Sequence, residues 1–169
     1  VSGTAASHPA ARGFARAAIA VRRAGLDDLG DLVPLFSDYR VFYGQPRDPE
    51  TARQFLHARL GRGESTVFLA RVEGVSHAPP VGFVQLYPMF SSVRAAKLYI
   101  LNDLYVAEHA RRSGVALALL SAAAEFGQRE GAIRLELETA HDNHGAQALY
   151  RRQGWRDYDG TKRFHLPLA

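Results

Sequence analysis

The chain contains no cysteine. Disulfides, thiolate nucleophiles and zinc–sulfur centres are therefore excluded outright. The absence is compatible with a reducing compartment, and a cytoplasmic location is expected. There is no run of about 18 apolar residues, so no membrane-spanning helix is expected. The opening stretch, VSGTAASHPAARGFARAA, has no acidic residue and lacks the apolar centre of a secretory signal. Its Ala, Ser and Gly suit a transit-like leader, an added tag remnant or a frayed terminus. Residues 1–17 are expected to form a flexible segment. Long basic blocks are missing too. The net charge is +4, from 21 basic and 17 acidic residues spread along the chain. That mild excess favours a polyanionic ligand, but without a Lys/Arg block no nucleic-acid partner is expected. No internal repeat is present.

What is there is ordinary globular composition: 169 residues, 47% hydrophobic and 22% charged. That suits one domain with one core, placed at 18–169. AIAVRRAG (18–25) reads as a short strand. LDDLGDLVPLFSDYRVFYG (26–44) spaces its apolar residues as a helix does, with Asp27 and Asp28 at the positively polarised start. GQPRDP (44–49) is a turn, and PETARQFLHARLGRG (49–63) a second helix closed by Gly61 or Gly63. Strands follow at 65–74, 81–90 and 95–108, then a helix ending near 129–131. AIRLELETA (132–140) alternates as a strand, NHGAQALYRRQG (143–154) is a short helix, and WRDYDG with KRFHLPL makes a terminal strand pair. The order is β–α–α–β–β–β–α–β–α–β–β. An antiparallel meander precedes one β–α–β crossover, which predicts a mixed α/β (α+β) sheet with helices on both faces.

EHARRSGVALALLSAAAEF (108–126) is the informative stretch. It places a glycine and two arginines at the entrance of an apolar helix. The first backbone N–H groups of a helix have no internal partner and sit at the positive end of its dipole. Gly114 and Ala116 lack bulk, so a phosphate can approach the main chain, and Arg111 and Arg112 add charge-assisted donors. A plain strand-to-helix turn with solvated arginines fits the same residues. The context is a strand before (YILNDLYV, 99–106) and Asn143-x-x-Ala146-x-x-Leu149-Tyr150-x-x-x-Gly154-Trp155 after.

In these motifs, strongest over 99–155 but spanning roughly 18–168, the chain resembles the GNAT superfamily of N-acetyltransferases, nearest the branch acting on histones, polyamines and amino acids. The resemblance implies a central, mostly antiparallel sheet with a β–α–β unit for acetyl-CoA. It implies that Arg111, Arg112, Ser113, Gly114, Val115 and Ala116 hold the pyrophosphate, with Asn143 also contacting the co-substrate. The backbone of Leu104, Tyr105 and Val106 would pair with the pantetheine arm where the fourth and fifth strands splay. An amide there would stabilise the tetrahedral oxyanion. It also implies an amine acceptor, small or peptidic, and a homodimer.

Acetyl transfer to an amine needs neither cysteine nor metal. Tyr150 is the candidate proton donor to the leaving thiolate. It lies seven residues after Asn143, about 10 Å along one helix face. Plain readings are a packing tyrosine and a helix cap. Some family members carry glutamate where this chain has Asn102, which cannot act as a base. Asp103 is the candidate catalytic carboxylate on the base side, but strand neighbours face opposite sides, so it does not simply replace that glutamate; a water chain with Asp103, Glu136 or Glu138 nearby would deprotonate the amine. Glu136 and Glu138 share one strand face. They would either attract a cationic substrate or pair with arginines. Tyr39, Phe42 and Tyr43 end the first helix, as core or as cleft wall. Tyr39, Tyr43, Asn102 and Glu138 are assigned to the acceptor side. His141, Asp142 and His144 lack a distant third ligand, so no metal is expected. His109 is expected on the loop surface. The competing reading is a non-catalytic acyl-CoA-binding regulatory module, supported by Asn102.

Overall fold

A computed structural model describes residues 18–74, 78–158, 162, 164 and 166–168. Its strands are β1 (Ile19–Arg23), β2 (Thr66–Val72), β3 (Gly82–Ser91), β4 (Ala96–Val106) and β5 (Leu135–Glu136). Its helices are α1 (Leu29–Phe42), α2 (Pro49–Gly61), α3 (Val115–Arg129) and α4 (His144–Arg152). The strands lie in chain order in one sheet, antiparallel except for the parallel β4–β5 pair. The chain divides into two compact units after Glu136, and the second carries α4.

Local chemistry sets the helix starts. Asp48 caps α2 by accepting the Thr51 N–H at 2.9 Å, and Pro49 needs no amide partner at the first position. α1 begins at Leu29, the first apolar position of the helical spacing, while Leu26–Asp28 at the head of the expected 26–44 segment winds as a 3-10 turn. Pro34 lies inside α1 and removes one helical donor. The buried stripe of Leu29, Leu32, Val33, Leu35 and Phe36 holds the helix against the sheet regardless. These side chains, with Ala52 and Leu56 of α2, pack on Val67, Leu69 and Phe83.

The alternate strand residues face α3. Phe68 and Tyr99 both meet the Phe126 ring, at 5.6 Å and 5.1 Å. Helices thus cover both faces of the sheet, as the element order implies. Gly82 in β3 lets these layers close. A Cβ there would sit 2.7 Å from the Tyr105 carbonyl oxygen and 3.1 Å from Val115 Cγ1. The oxygen is backbone of the neighbouring strand and cannot swing aside. Gly82→Val, although a good strand residue, is expected to lower stability by about 1–3 kcal/mol. Denaturant titration checks this, and an unchanged midpoint would show that β4 accommodates the methyl groups.

Two expected strands differ. The 132–140 segment forms a strand only at Leu135–Glu136, because its ladder with β4 consists of Tyr99 opposite Leu135 and Ile100 opposite Glu136. Beyond that pair the alternating residues have no strand to bond, so Glu138 is not in a strand. The terminal pair is not formed among the described residues, since 155–158, 162, 164 and 166–168 carry no strand. Residues 159–161, 163 and 165 of that expected pair lie outside the described residues, as do 1–17.

Candidate active site

After β4 the chain makes a 3-10 turn, Glu108–Ala110, and then enters α3. The helix starts at Val115, with the arginines and Gly114 at its entrance as the sequence suggests. Two residues in this loop are left-handed: Arg112 at φ 62° and Gly114 at φ 96°. Glycine takes that conformation freely, and arginine does not. The loop is held by Ser113 Oγ, which donates to the Ala110 carbonyl at 2.6 Å. The first helical bond runs from the Ala118 N–H to the Gly114 carbonyl at 3.0 Å. The amides of Val115, Ala116 and Leu117 precede it and have no partner within the helix. Val115 anchors this end in the core, 1% exposed.

The two arginines differ. Arg111 Nε donates to the Val106 carbonyl at 3.3 Å, and its guanidinium lies 5.7 Å from the Phe42 ring centre. It ties the loop to the end of β4 and the end of α1. Arg112 is exposed. His109 is exposed, as expected.

β4 is bonded to β3 along its length but to β5 only at Tyr99 and Ile100. Among the described residues no strand pairs with Leu104, Tyr105 and Val106 on that second side. This is an open edge leading straight into the loop amides. Just before it, the β3–β4 register slips: Gln85 pairs with Asp103, and Leu86 with Leu101. Asn102 is the extra residue of a β-bulge, a feature common beside active sites because it re-aims side chains.

The bulge corrects one expectation. Asn102 and Asp103 are not on opposite faces, because the extra residue resets the alternation. Asn102 Nδ2 donates to Asp103 Oδ1 at 3.1 Å. Asp103 is 4% exposed, the only buried acid among the described residues. It also accepts from Gln85 Nε2 at 2.7 Å and from the Tyr39 hydroxyl. Burial pushes its carboxyl above the usual range, opposed by the bonds from Tyr39, Gln85 and Asn102. Gln85, fully buried, accepts from Ser65 Oγ at 3.2 Å and meets the Tyr87 hydroxyl at 2.8 Å. Burial, then the Asp103 charge, push the Tyr39 phenol up, and the same causes bring Tyr87 to about 12.

Tyr39 packs as the core reading has it. Its ring packs on Phe36, Phe83 and Tyr105, while its hydroxyl serves Asp103. Tyr43 and Phe42 stack edge to face at 5.1 Å and are each 60% exposed. Burial raises the Tyr105 phenol. Glu136 pairs with Arg134 at 2.6 Å, as the arginine-paired reading has it. Sequence reasoning missed Gln85, Ser65 and Tyr87. The signal was a glutamine in the middle of the apolar run VGFVQLY.

The second unit holds Asn143 and Tyr150. Asn143 caps α4, its Oδ1 accepting the Ala146 N–H at 3.3 Å. The Tyr150 ring lies 6.0 Å from that of Trp155, and the Trp155 backbone N–H donates to the Tyr150 carbonyl at 3.1 Å. Arg151 bonds Asp157 at 3.2 Å.

The family model described as "Acetyltransferase (GNAT) family" matches residues 32–155. The chain belongs to this family, and it is an acetyl-CoA-dependent N-acetyltransferase with an amine acceptor. It is 43% identical over 146 residues to "Uncharacterized N-acetyltransferase YhfO" of Bacillus subtilis (strain 168), covering 86% of this chain and 95% of that protein. It is 33% identical over 138 residues to a "Probable acetyltransferase" of Haemophilus influenzae, covering 82% and 90%. A solved structure described as "Crystal structure of a probable acetyltransferase" superposes with TM-score 0.83 at 41% identity, covering 89% of this chain and 98% of that one. No helix among the described residues is long and apolar enough to cross a membrane.

Proposed function

We propose that the chain transfers the acetyl group of acetyl-CoA to a primary amine by direct attack, with the acceptor in the class of polyamines, amino acids or lysine side chains. The observation that carries the reading is the junction of the open β4 edge with the unpaired amides of α3 behind a left-handed Gly114. A pyrophosphate is recognised by backbone N–H groups at a helix N-terminus, and Gly114 leaves the approach clear. On this reading Arg112, Ser113, Gly114, Val115 and Ala116 hold the pyrophosphate, and Arg111 adds charge beside it. The backbone of Leu104, Tyr105 and Val106 pairs with the pantetheine arm. Acetyl-CoA supplies an activated thioester carbonyl. The amide of Tyr105 or Val106 stabilises the oxyanion that forms there. Asn143 contacts the co-substrate, and Tyr150 protonates the departing sulfur.

An exposed aromatic face supports the acceptor class. Tyr43 presents its ring to solvent just past the end of α1, and a cationic amine is attracted to such a face. Tyr39 and Glu138 are also proposed to contact the acceptor. The protein is proposed to act as a homodimer, a reading supported by the exposed, alternating Phe164, Leu166 and Leu168. Sedimentation checks it. The acceptor is identified by thiol release from acetyl-CoA against spermidine, lysine, amino acids of both chiralities, an aminoglycoside and a histone-tail peptide. Release with one class names the acceptor. Silence across the panel with no calorimetric acetyl-CoA binding would overturn the assignment of the loop.

A further inference from the structure

The bulged residue Asn102 is exposed, yet its amide has a fixed sense. An ionised carboxylate only accepts, so the amide must turn its NH2 toward Asp103. Its Oδ1 is thereby turned the other way. Asp103 holds firm because Gln85 Nε2 and the Tyr39 hydroxyl also bind it, and because Gln85 is itself fixed by Ser65 and Tyr87. A buried polar frame on the α1 side of the sheet thus sets the orientation of one exposed amide, beside the point where β4 leaves β5.

We propose that Asn102 Oδ1 is the acceptor that binds and aims the substrate amine, and that Asp103 is the positioning residue that keeps the amide so turned. The assignment rests on the acyl transfer to a primary amine proposed above. An attacking amine needs its lone pair free. An oxygen acceptor takes one of its N–H groups and leaves the lone pair for the thioester carbon. The flipped amide would offer its own N–H to that lone pair and quench the nucleophile. As the C–N bond forms and the C–S bond breaks, nitrogen becomes positive, and its bond to Asn102 strengthens. Asparagine cannot take the surplus proton, which passes to water. The sulfur takes its proton from the Tyr150 phenol, and solvent restores that phenol.

The test is an exchange of amide and acid. Asp103→Asn still accepts from Gln85, but its new NH2 then faces Asn102 and forces that amide to flip. The expected result is a fall of about 10–100-fold in kcat/KM for the amine, the worth of one charge-assisted hydrogen bond, with the calorimetric Kd for acetyl-CoA unchanged. Adding Asn102→Asp to that variant supplies an acceptor on both sides and is expected to restore most of the loss. A merely structural role for Asp103 gives no such rescue. Wild-type kcat/KM in Asp103→Asn, or a double variant no better than it, overturns the assignment. Where Asp103→Asn does not fold, Asn102→Ala at its exposed site carries the test: the same loss is expected, and unchanged kcat/KM overturns it. A wild-type protein that binds acetyl-CoA yet acetylates no amine defeats the acyl-transfer reading, and this assignment with it.

Discussion

Glutamate at position 114 is expected to abolish acetyl-CoA binding in a protein that still folds. Two effects add. Gly114 sits at φ 96°, a conformation that costs an L-residue roughly 1–2 kcal/mol. The added carboxylate also occupies the place proposed for phosphate and opposes its charge. At about 4 Å and an effective dielectric near 20, one such repulsion is worth about 4 kcal/mol, or close to a thousandfold in affinity. Gly114→Ala separates the terms, since it carries the backbone strain without the charge. Alanine is expected to lower the melting temperature slightly and weaken binding modestly. Glutamate is expected to give a similar melting temperature and no calorimetric signal. Binding retained by a folded Gly114→Glu protein would show that the loop amides do not hold the pyrophosphate.

The turn ahead of α3 was legible because its physics is local. A small residue before an apolar helix, with arginines beside it, is readable from the six consecutive positions Arg111 to Ala116. The same holds for the Asp48–Pro49 start of α2. Pairing is different, because it depends on a partner elsewhere in the chain. The alternation of 132–140 describes a segment able to form a strand, and only Leu135 and Glu136 find one. The bulge at Asn102 left no trace either. Neither Gly nor Pro marks it, so a period of two was carried through Asn102 and Asp103, with the wrong face for one of them. That single extra residue converts Asp103 from an isolated strand acid into the centre of a buried network. Tyr39 illustrates a further limit. Helical spacing gives the direction of its ring, but the hydroxyl finds its partner only once β4 is in place.

Tyr150→Phe is expected to reduce kcat by about 10²-fold or more, the usual range for loss of a general acid. Thiolate expulsion from the tetrahedral intermediate is easier when the sulfur is protonated as it leaves. The proposed source is the Tyr150 phenol, and phenylalanine removes only that hydroxyl. The ring, 6.0 Å from Trp155, remains, so the packing that follows α4 is preserved. The decisive pattern is therefore a split in the kinetic constants. An interaction made only in the transition state lowers kcat and kcat/KM together and leaves KM for both substrates in place. The melting temperature should also stay close to that of the parent. A fall in kcat matched by a large fall in melting temperature would reassign Tyr150 to packing. Unchanged kcat in a folded variant would remove it from the mechanism and leave the sulfur to be protonated by water.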